Sequence, residues 1–392
     1  MLNSPFSPWP SFSEEEANAV RDVILSNKVN YWTGQECREF EKEFAAWSGT
    51  HHAVALANGT VALDLAFKAL GIGAGDEVIV TPRTFLASVS SIVNAGAIPV
   101  FADVDPDSQN ITADTIAAVL TSRTRAIVCV HLAGWPCDMD PIMALAHEHD
   151  LKVIEDCAQA HGAKYKGRPV GSIGHVGAWS FCQDKIMTTG GEGGMVTTND
   201  RDLWSAMWSY KDHGKSWEAI YEREHAPGFR WLHESFGTNW RMLEAQGVLG
   251  RIQLGRMAQW HEARLSNARR IWAAADQLTG LRVPAISEEY LHAAYKCYVF
   301  VEPKSLKADW SRDRILNEIV ARGVPCFSGS CSEVYLEKAF DKTQWRPRER
   351  LPVARQLGDT SLMFMVHPTL TSSEIDKTCQ VLCDVMQEAS AD

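Results

Sequence analysis

Between His51 and Thr198 the chain repeats one unit, a short apolar run rich in β-branched residues followed by a stretch with helical spacing. The runs are HHAVALA, EVIV, AIPVFADV, RAIVCV, LKVIEDC, GAWSFC and GMVTT. Runs that are apolar throughout suit strands buried on both faces, and the helical segments between them supply the covers. This pattern predicts an α/β domain built on a mainly parallel sheet. Two helices are expected before it: SEEEANAVRDVILS, with a capping serine and an acidic first turn, and ECREFEKEFAAWSG, which ends at glycine. Both are expected to pack on the outside of the sheet domain or on a partner.

A chain of 392 residues exceeds what one core usually supports. The segment MLEAQGVLGRIQLGRMAQWHEARLSNARRIWAAADQL reads as a long helix with a break near Gly255, able to bridge two domains. Beyond it YKCYVFVE reads as a strand, and SRDRILNEIVARG and SSEIDKTCQVLCDVMQEA as helices. The expected division is a large domain over 1–250 and, over 251–392, the bridging helix with a smaller C-terminal α/β domain. The HAPGFRW stretch around Pro227 reads as an irregular loop.

Composition excludes several classes. A net charge of −11 opposes general binding to nucleic acid, which needs clustered cations. The ten cysteines are scattered and form no CxxC pair, which argues against zinc and for thiols in a reducing compartment. No apolar run reaches membrane-spanning length, and the start MLNSPFSPWPSFSEEE lacks the features of a secretory signal, so a cytoplasmic protein is expected. Fourteen tryptophans hint at a subunit interface.

In open parallel sheets ligands collect at the carboxyl ends of strands, and three of those ends carry chemistry here. After HHAVALA, Asn58-Gly59-Thr60 opens the helix VALDLAFKAL, so free backbone N–H groups and a hydroxyl meet at a site suited to phosphate, although a plain helix cap has the same sequence. After LKVI, Glu155-Asp156-Cys157-Ala158-Gln159 brings carboxylates to the end of a buried strand, where they need a partner. A protonated pyridine nitrogen would serve, as would a capped helix or an arginine. After GAWSFC, the stretch SFCQDKIMTTGGEGG sets Lys185 against a glycine turn, with Ser180 on the preceding strand as a further phosphate donor. Anion nest, carboxylate and primary amine are together the requirements of pyridoxal 5′-phosphate.

The stretches NYWTGQECREFEKEFA, ANGTVALDLAFKALGIGAGDEVIV, HLAGWPCDMDPIMALA, VIEDCAQAHGA, SFCQDKIMTTGGEGGM and GTNWRM, in this order and spacing, resemble the DegT/DnrJ/EryC1/StrS family of sugar aminotransferases. The resemblance covers nearly the whole chain. It implies the aspartate-aminotransferase-like fold, fold type I of the pyridoxal-phosphate-dependent transferases, and a homodimer with shared active sites. By it Lys185 holds the cofactor aldehyde as an imine, Asp156 partners the ring nitrogen, and Gln159 lies against the ring or its phenolic oxygen. Gly59, Thr60 and Ser180 would hold the phosphate, with Asn239 of GTNWRM supplied across the dimer interface.

Two places depart from the family pattern. The family commonly has an aromatic residue stacking on the cofactor just before the match to Thr84-Phe85, where this chain has Arg83, whose guanidinium can also stack on a π system. In VPCFSGSCSEVYLEKAF the family often carries a histidine near the substrate, and here there is none. Tyr31 and Tyr335 are the expected substrate-lining residues.

The implied reaction is transamination from L-glutamate to a nucleotide-linked 4-keto-6-deoxyhexose, giving an amino sugar for a lipopolysaccharide O-antigen, another polysaccharide or a glycoside. A cyclitol ketone such as an inosose, or a 3-keto sugar, is the enzymatic alternative, and a catalytically silent pyridoxal-phosphate-binding regulator the alternative of another class. No metal is expected.

Overall fold

A computed structural model describes residues 6–224, 228 and 230–391. The residues around Pro227 that the sequence assigns to a loop lie mostly outside the described residues.

Seven strands form the main sheet: β1 (His52–Leu56), β2 (Glu77–Val80), β3 (Ile98–Phe101), β4 (Thr124–Val130), β5 (Lys152–Asp156), β6 (Val176–Ser180) and β7 (Gly194–Thr198). Their order is β1-β7-β6-β5-β4-β2-β3. β3, β2, β4, β5 and β6 run parallel, and β7 is antiparallel to both β6 and β1. All four residues of EVIV are buried, as are all five of β6 and of β7, which is why these runs show no polar alternation.

Helix α1 (Glu14–Leu25) opens on a Ser13/Glu16 capping box, and α2 (Glu36–Ser48) ends at Gly49 in the left-handed conformation. Both pack against the long helix Glu244–Ala275, which donates to buried Glu16 from Gln253 Nε2 at 2.8 Å and from Arg256 Nη1 at 2.9 Å. The break expected near Gly255 does not occur. The helix runs unbroken through this position, where space around the glycine is open, because the roughly 1 kcal/mol cost of one glycine is outweighed by packing along 32 residues.

A four-stranded antiparallel sheet, β8 (Leu281–Arg282), β9 (Cys297–Val301), β10 (Cys326–Phe327) and β11 (Ser361–Phe364) in the order β8-β9-β11-β10, carries the smaller C-terminal unit. Helices Arg312–Ala321 and Ser372–Ala389 cover it. Two of the three hydrophobic cores interleave along the chain, and the third joins Tyr298 and Phe300 of β9 to Ile127 and Val153 of the main sheet. Ala268, Ile271 and Ala275 of the long helix join the small core with Phe6 of the N-terminal segment, while Val334, Tyr335 and Phe340 return to the large one. Among the described residues no helix is long and apolar enough to cross a membrane, and all ten cysteines are free thiols.

Candidate active site

Leu56 of β1 and Ser180 of β6 both pair with Gly194, so the carboxyl end of β1 lies on the same edge of the sheet as the carboxyl ends of β2, β4, β5 and β6. The loops leaving this edge carry the chemistry.

Helix α3 (Gly59–Ala69) begins directly after β1, with the Asn58 side chain accepting from Val61 N–H at 3.0 Å. That bond satisfies one amide of the first turn and leaves the N–H groups of Gly59 and Thr60 free of the cap. Ser180 closes the other side. A methyl at Gly59 would stand 2.5 Å from Ser180 Cβ and 2.9 Å from its hydroxyl, so only glycine lets the strand end and helix start approach this closely. The result is an anion nest with a hydroxyl at its rim.

The two acids at the end of β5 point to opposite faces and do different work. Glu155, fully buried, accepts from Gly171, Ile173 and Gly174 N–H groups and from His131 Nε2 at 2.9 Å. Burial pushes its carboxyl up, but these donors outweigh burial and hold it below the usual range. His131 Nδ1 accepts from Cys137 N–H at 3.0 Å, which places the proton on Nε2. His131, Glu155 and Cys157 are close enough to suit a metal, but the histidine and the carboxylate are spent on these bonds.

Asp156 faces Ser88, with Lys185 at longer range. Ser88 Oγ donates to its Oδ2 at 2.8 Å and Ala158 N–H to its Oδ1 at 3.1 Å, yet among the described residues no cation lies within 4.0 Å. Burial pushes this carboxyl above its usual range, against the pull of Ser88, Ala158 and, at longer range, Lys185. A buried acid with a place for one more donor fits a protonated ring nitrogen. Gln159, buried beside it, accepts from Ala133 N–H at 2.9 Å.

Lys185 sits in the loop between β6 and β7, which turns back through Gly190 and Gly191 at φ of 89° and 112°. Its amine is 3.6 Å from Asp184 Oδ1 and 5.3 Å from the centre of the Tyr295 ring. Tyr295 O–H donates to Asp184 Oδ2 at 2.5 Å, and Trp9 Nε1–H to the Lys185 carbonyl at 2.8 Å. The lysine is therefore held from the small unit and from the N-terminal segment as well as by its own loop.

Three expected residues are elsewhere. Arg83 does not stack in the cleft: it is fully buried, Nε donating to Gln109 Oε1 at 2.9 Å and Nη2 to Ser361 Oγ at 2.7 Å, with the guanidinium 5.4 Å from the centre of the Tyr298 ring. It ties the loop after β2 to β9 and β11. Tyr31 is a core residue, its hydroxyl donating to Glu41 at 2.9 Å and accepting from Trp208 Nε1 at 3.0 Å, with Lys211 Nζ 3.9 Å above its ring. Tyr335 is also buried, donating to Glu333 and accepting from Leu351 N–H at 2.9 Å against Phe101. Neither tyrosine has surface to offer a substrate.

Asn239 is exposed on the segment 237–242, which pairs with Asp212 and Leu56. Buried Asp212 anchors that segment by accepting from Arg241 Nη1 at 2.6 Å, beside Lys215 and Trp32. Sequence reasoning missed Ser88, Asp184, Trp9 and Tyr295. It also passed over Phe85, which stands 71% exposed on the same turn as Ser88. Asp184 alone had a sequence signal, its adjacency to Lys185.

The model of the DegT/DnrJ/EryC1/StrS aminotransferase family matches residues 10–383. The chain belongs to that family. Members of the DegT/DnrJ/EryC1/StrS family are aminotransferases that use pyridoxal 5′-phosphate. GDP-perosamine synthase of Caulobacter vibrioides is 36% identical over 384 residues, 93% of this chain and 95% of that protein. L-glutamine:2-deoxy-scyllo-inosose aminotransferase of Streptomyces fradiae is 36% identical over 313 residues, covering 78% and 73%. The crystal structure of an aminotransferase from Psychrobacter cryohalolentis superposes with a TM-score of 0.96 at 66% identity, covering 98% and 99% of the two chains. The fold is that of this family's sugar aminotransferases.

Proposed function

We propose that this aminotransferase moves an amino group from L-glutamate to the ketone of a nucleotide-linked 4-keto-6-deoxyhexose, making an amino sugar for polysaccharide or glycoside synthesis. The observation that carries the reading is the convergence of Lys185, Asp156 and the Gly59–Ser180 nest on one sheet edge. The likeness to GDP-perosamine synthase favours a nucleotide-linked acceptor. The likeness to an inosose aminotransferase supports a cyclitol ketone as the second reading.

When bound, pyridoxal phosphate supplies an aldehyde that takes up the amine and a ring that stores an electron pair. The amides of Gly59 and Thr60 with the Ser180 hydroxyl bind its phosphate. Asp156 holds a proton on its ring nitrogen, and Gln159 orients the ring. The exposed Phe85 ring, rather than the buried Arg83, would be the side chain available to pack on the cofactor ring. Lys185 Nζ takes the proton from the donor α-carbon and returns one to the acceptor carbon, with Trp9 fixing its backbone.

A second copy completes the site in this reading. Trp231 and Phe236, large apolar side chains 89% and 97% exposed on the segment leading to Asn239, are surface that a partner could cover, and such cover would bring Asn239 to that partner's phosphate nest.

The test offers L-glutamate and a panel of keto sugars and inososes to the wild type and to a Lys185→Ala protein, with products identified by mass. Borohydride should trap cofactor on the wild type at position 185, and the variant should show no turnover. Steady-state transamination by the variant would overturn the assignment of Lys185, and amination of inososes alone would overturn the sugar acceptor.

A further inference from the structure

Behind Lys185 lies more positive charge than the protein neutralises. Lys296, at the entry to β9, has its amine 4.6 Å from the centre of the same Tyr295 ring that Lys185 approaches at 5.3 Å, and among the described residues its one short polar contact is Met365 Sδ at 3.4 Å. Arg264, on the long helix, is 2% exposed and lies 4.9 Å over the Trp9 ring, with Nε and Nη2 lacking hydrogen-bond partners. Among the described residues neither cation has a carboxylate within 4.0 Å; Asp184 serves Lys185 at 3.6 Å and is the acid whose field reaches all three. Burying a cation without a counter-ion costs several kcal/mol, and most such sites either pair the charge or wait for an anion.

We infer that Lys296 receives a carboxylate of the amino donor, with Arg264 behind it as a second, non-contacting positive charge. The inference rests on the aminotransferase reading with glutamate as donor. Position selects the ligand. The donor's α-carboxylate is bonded to the carbon whose nitrogen exchanges with Lys185 Nζ, so it must lie close to that amine, and Lys296 is the cation that shares the Tyr295 ring with Lys185 and feels its field. A nucleotide diphosphate is separated from the reacting ketone by the sugar ring and falls farther away. Lys296 is partly exposed and can meet a ligand, whereas Arg264 is sealed beneath Trp9 and acts through its field.

The groups facing Lys296 are Asp184 and Lys185 from the loop after β6, Arg264 from the long helix, Tyr295 on its own segment, and Met365 and His367 after β11. Burial, with Arg264 and Lys185 adding to it and Asp184 opposing, brings the Lys296 ammonium down to about 8. Burial holds His367 at about 3 and pushes Tyr295 well up, so both stay neutral between pH 7 and 9. An anion held by Lys296 should therefore be released as pH rises through 8.

The experiment is calorimetric titration of the holoenzyme with glutarate, an unreactive dicarboxylate, at pH 7 and pH 9. Wild type should bind roughly tenfold more weakly at pH 9, one unit above the lysine's midpoint. Lys296→Met should bind at least tenfold more weakly than wild type at pH 7 and show no pH dependence. Lys296→Arg should keep the affinity at pH 7 and hold it at pH 9. In steady state Lys296→Met should raise KM for L-glutamate and leave KM for the keto acceptor unchanged. Wild-type glutarate affinity in Lys296→Met, or a pH dependence that persists in Lys296→Arg and so belongs to Lys185, would overturn the inference. Should wild type take no amine from glutamate, the donor reading fails on its own, and the glutarate arms still decide Lys296.

Discussion

Ser88 Oγ donates to Asp156 Oδ2 at 2.8 Å, joining the first turn of helix α4 (Ala87–Asn94) to the end of β5. The hydroxyl orients a carboxylate that burial makes costly to ionise. In the proposed reading Asp156 serves the cofactor at some expense to the fold without it.

Asp156→Asn should therefore stabilise the cofactor-free protein. A carboxyl whose folded pKa is raised stabilises most below the ordinary range near 4 and loses that contribution as pH rises through the raised value, so at pH 7 the acid costs stability and the amide does not. Thermal unfolding of stripped protein at pH 7 should show a gain of about 1 kcal/mol, vanishing in acid, while cofactor affinity falls. A less stable stripped variant at pH 7 would contradict the assignment of strain to this acid.

Gly59→Ala forces a methyl to 2.5 Å from Ser180 Cβ, and strand end or helix start must give way. Cofactor affinity should drop about tenfold, read by dialysis against pyridoxal phosphate. Gly255→Ala is the control: with nothing within 4 Å and a helical backbone, it should raise stability by roughly 0.5–1 kcal/mol and leave the cofactor untouched.

Arg83→Ala removes the donor to Gln109 and Ser361 and opens a cavity beside Tyr298. The expected cost is about 3 kcal/mol in denaturant unfolding. The absorbance of bound cofactor should not move, whereas a stacking arginine would change it.

Tyr31→Phe takes the acceptor from Trp208 and a donor from Glu41. Stability should fall by about 1–2 kcal/mol. KM for the acceptor should stay as it is, and a rise would return Tyr31 to the substrate site.

The strand ends were legible because their chemistry is local. A glycine and a hydroxyl at a helix start, or a lysine just after a strand, can be placed from short stretches, so the positions of Asn58, Gly59, Thr60 and Lys185 at the strand ends were readable, while their cofactor roles belong to the proposed reading. Arg83, Tyr31 and Tyr335 misled for the opposite reason. Nothing nearby in sequence says whether a large polar side chain turns to a cleft or to Ser361, 278 residues away. The opposite facing of Glu155 and Asp156 follows from strand alternation, but which face opens to the cleft depends on what covers the sheet.

By itself the sequence determined the alternation of strands and helices, the order of the loops that end on one edge, and the residue types those loops carry, because hydrophobic periodicity and helix capping act over a few residues. The tertiary structure decided which charges are paired. Lys185, Lys296, Arg264, Tyr295 and Trp9 meet from four distant segments, and the cost of burying a charge depends on every group around it, which only the folded chain brings together.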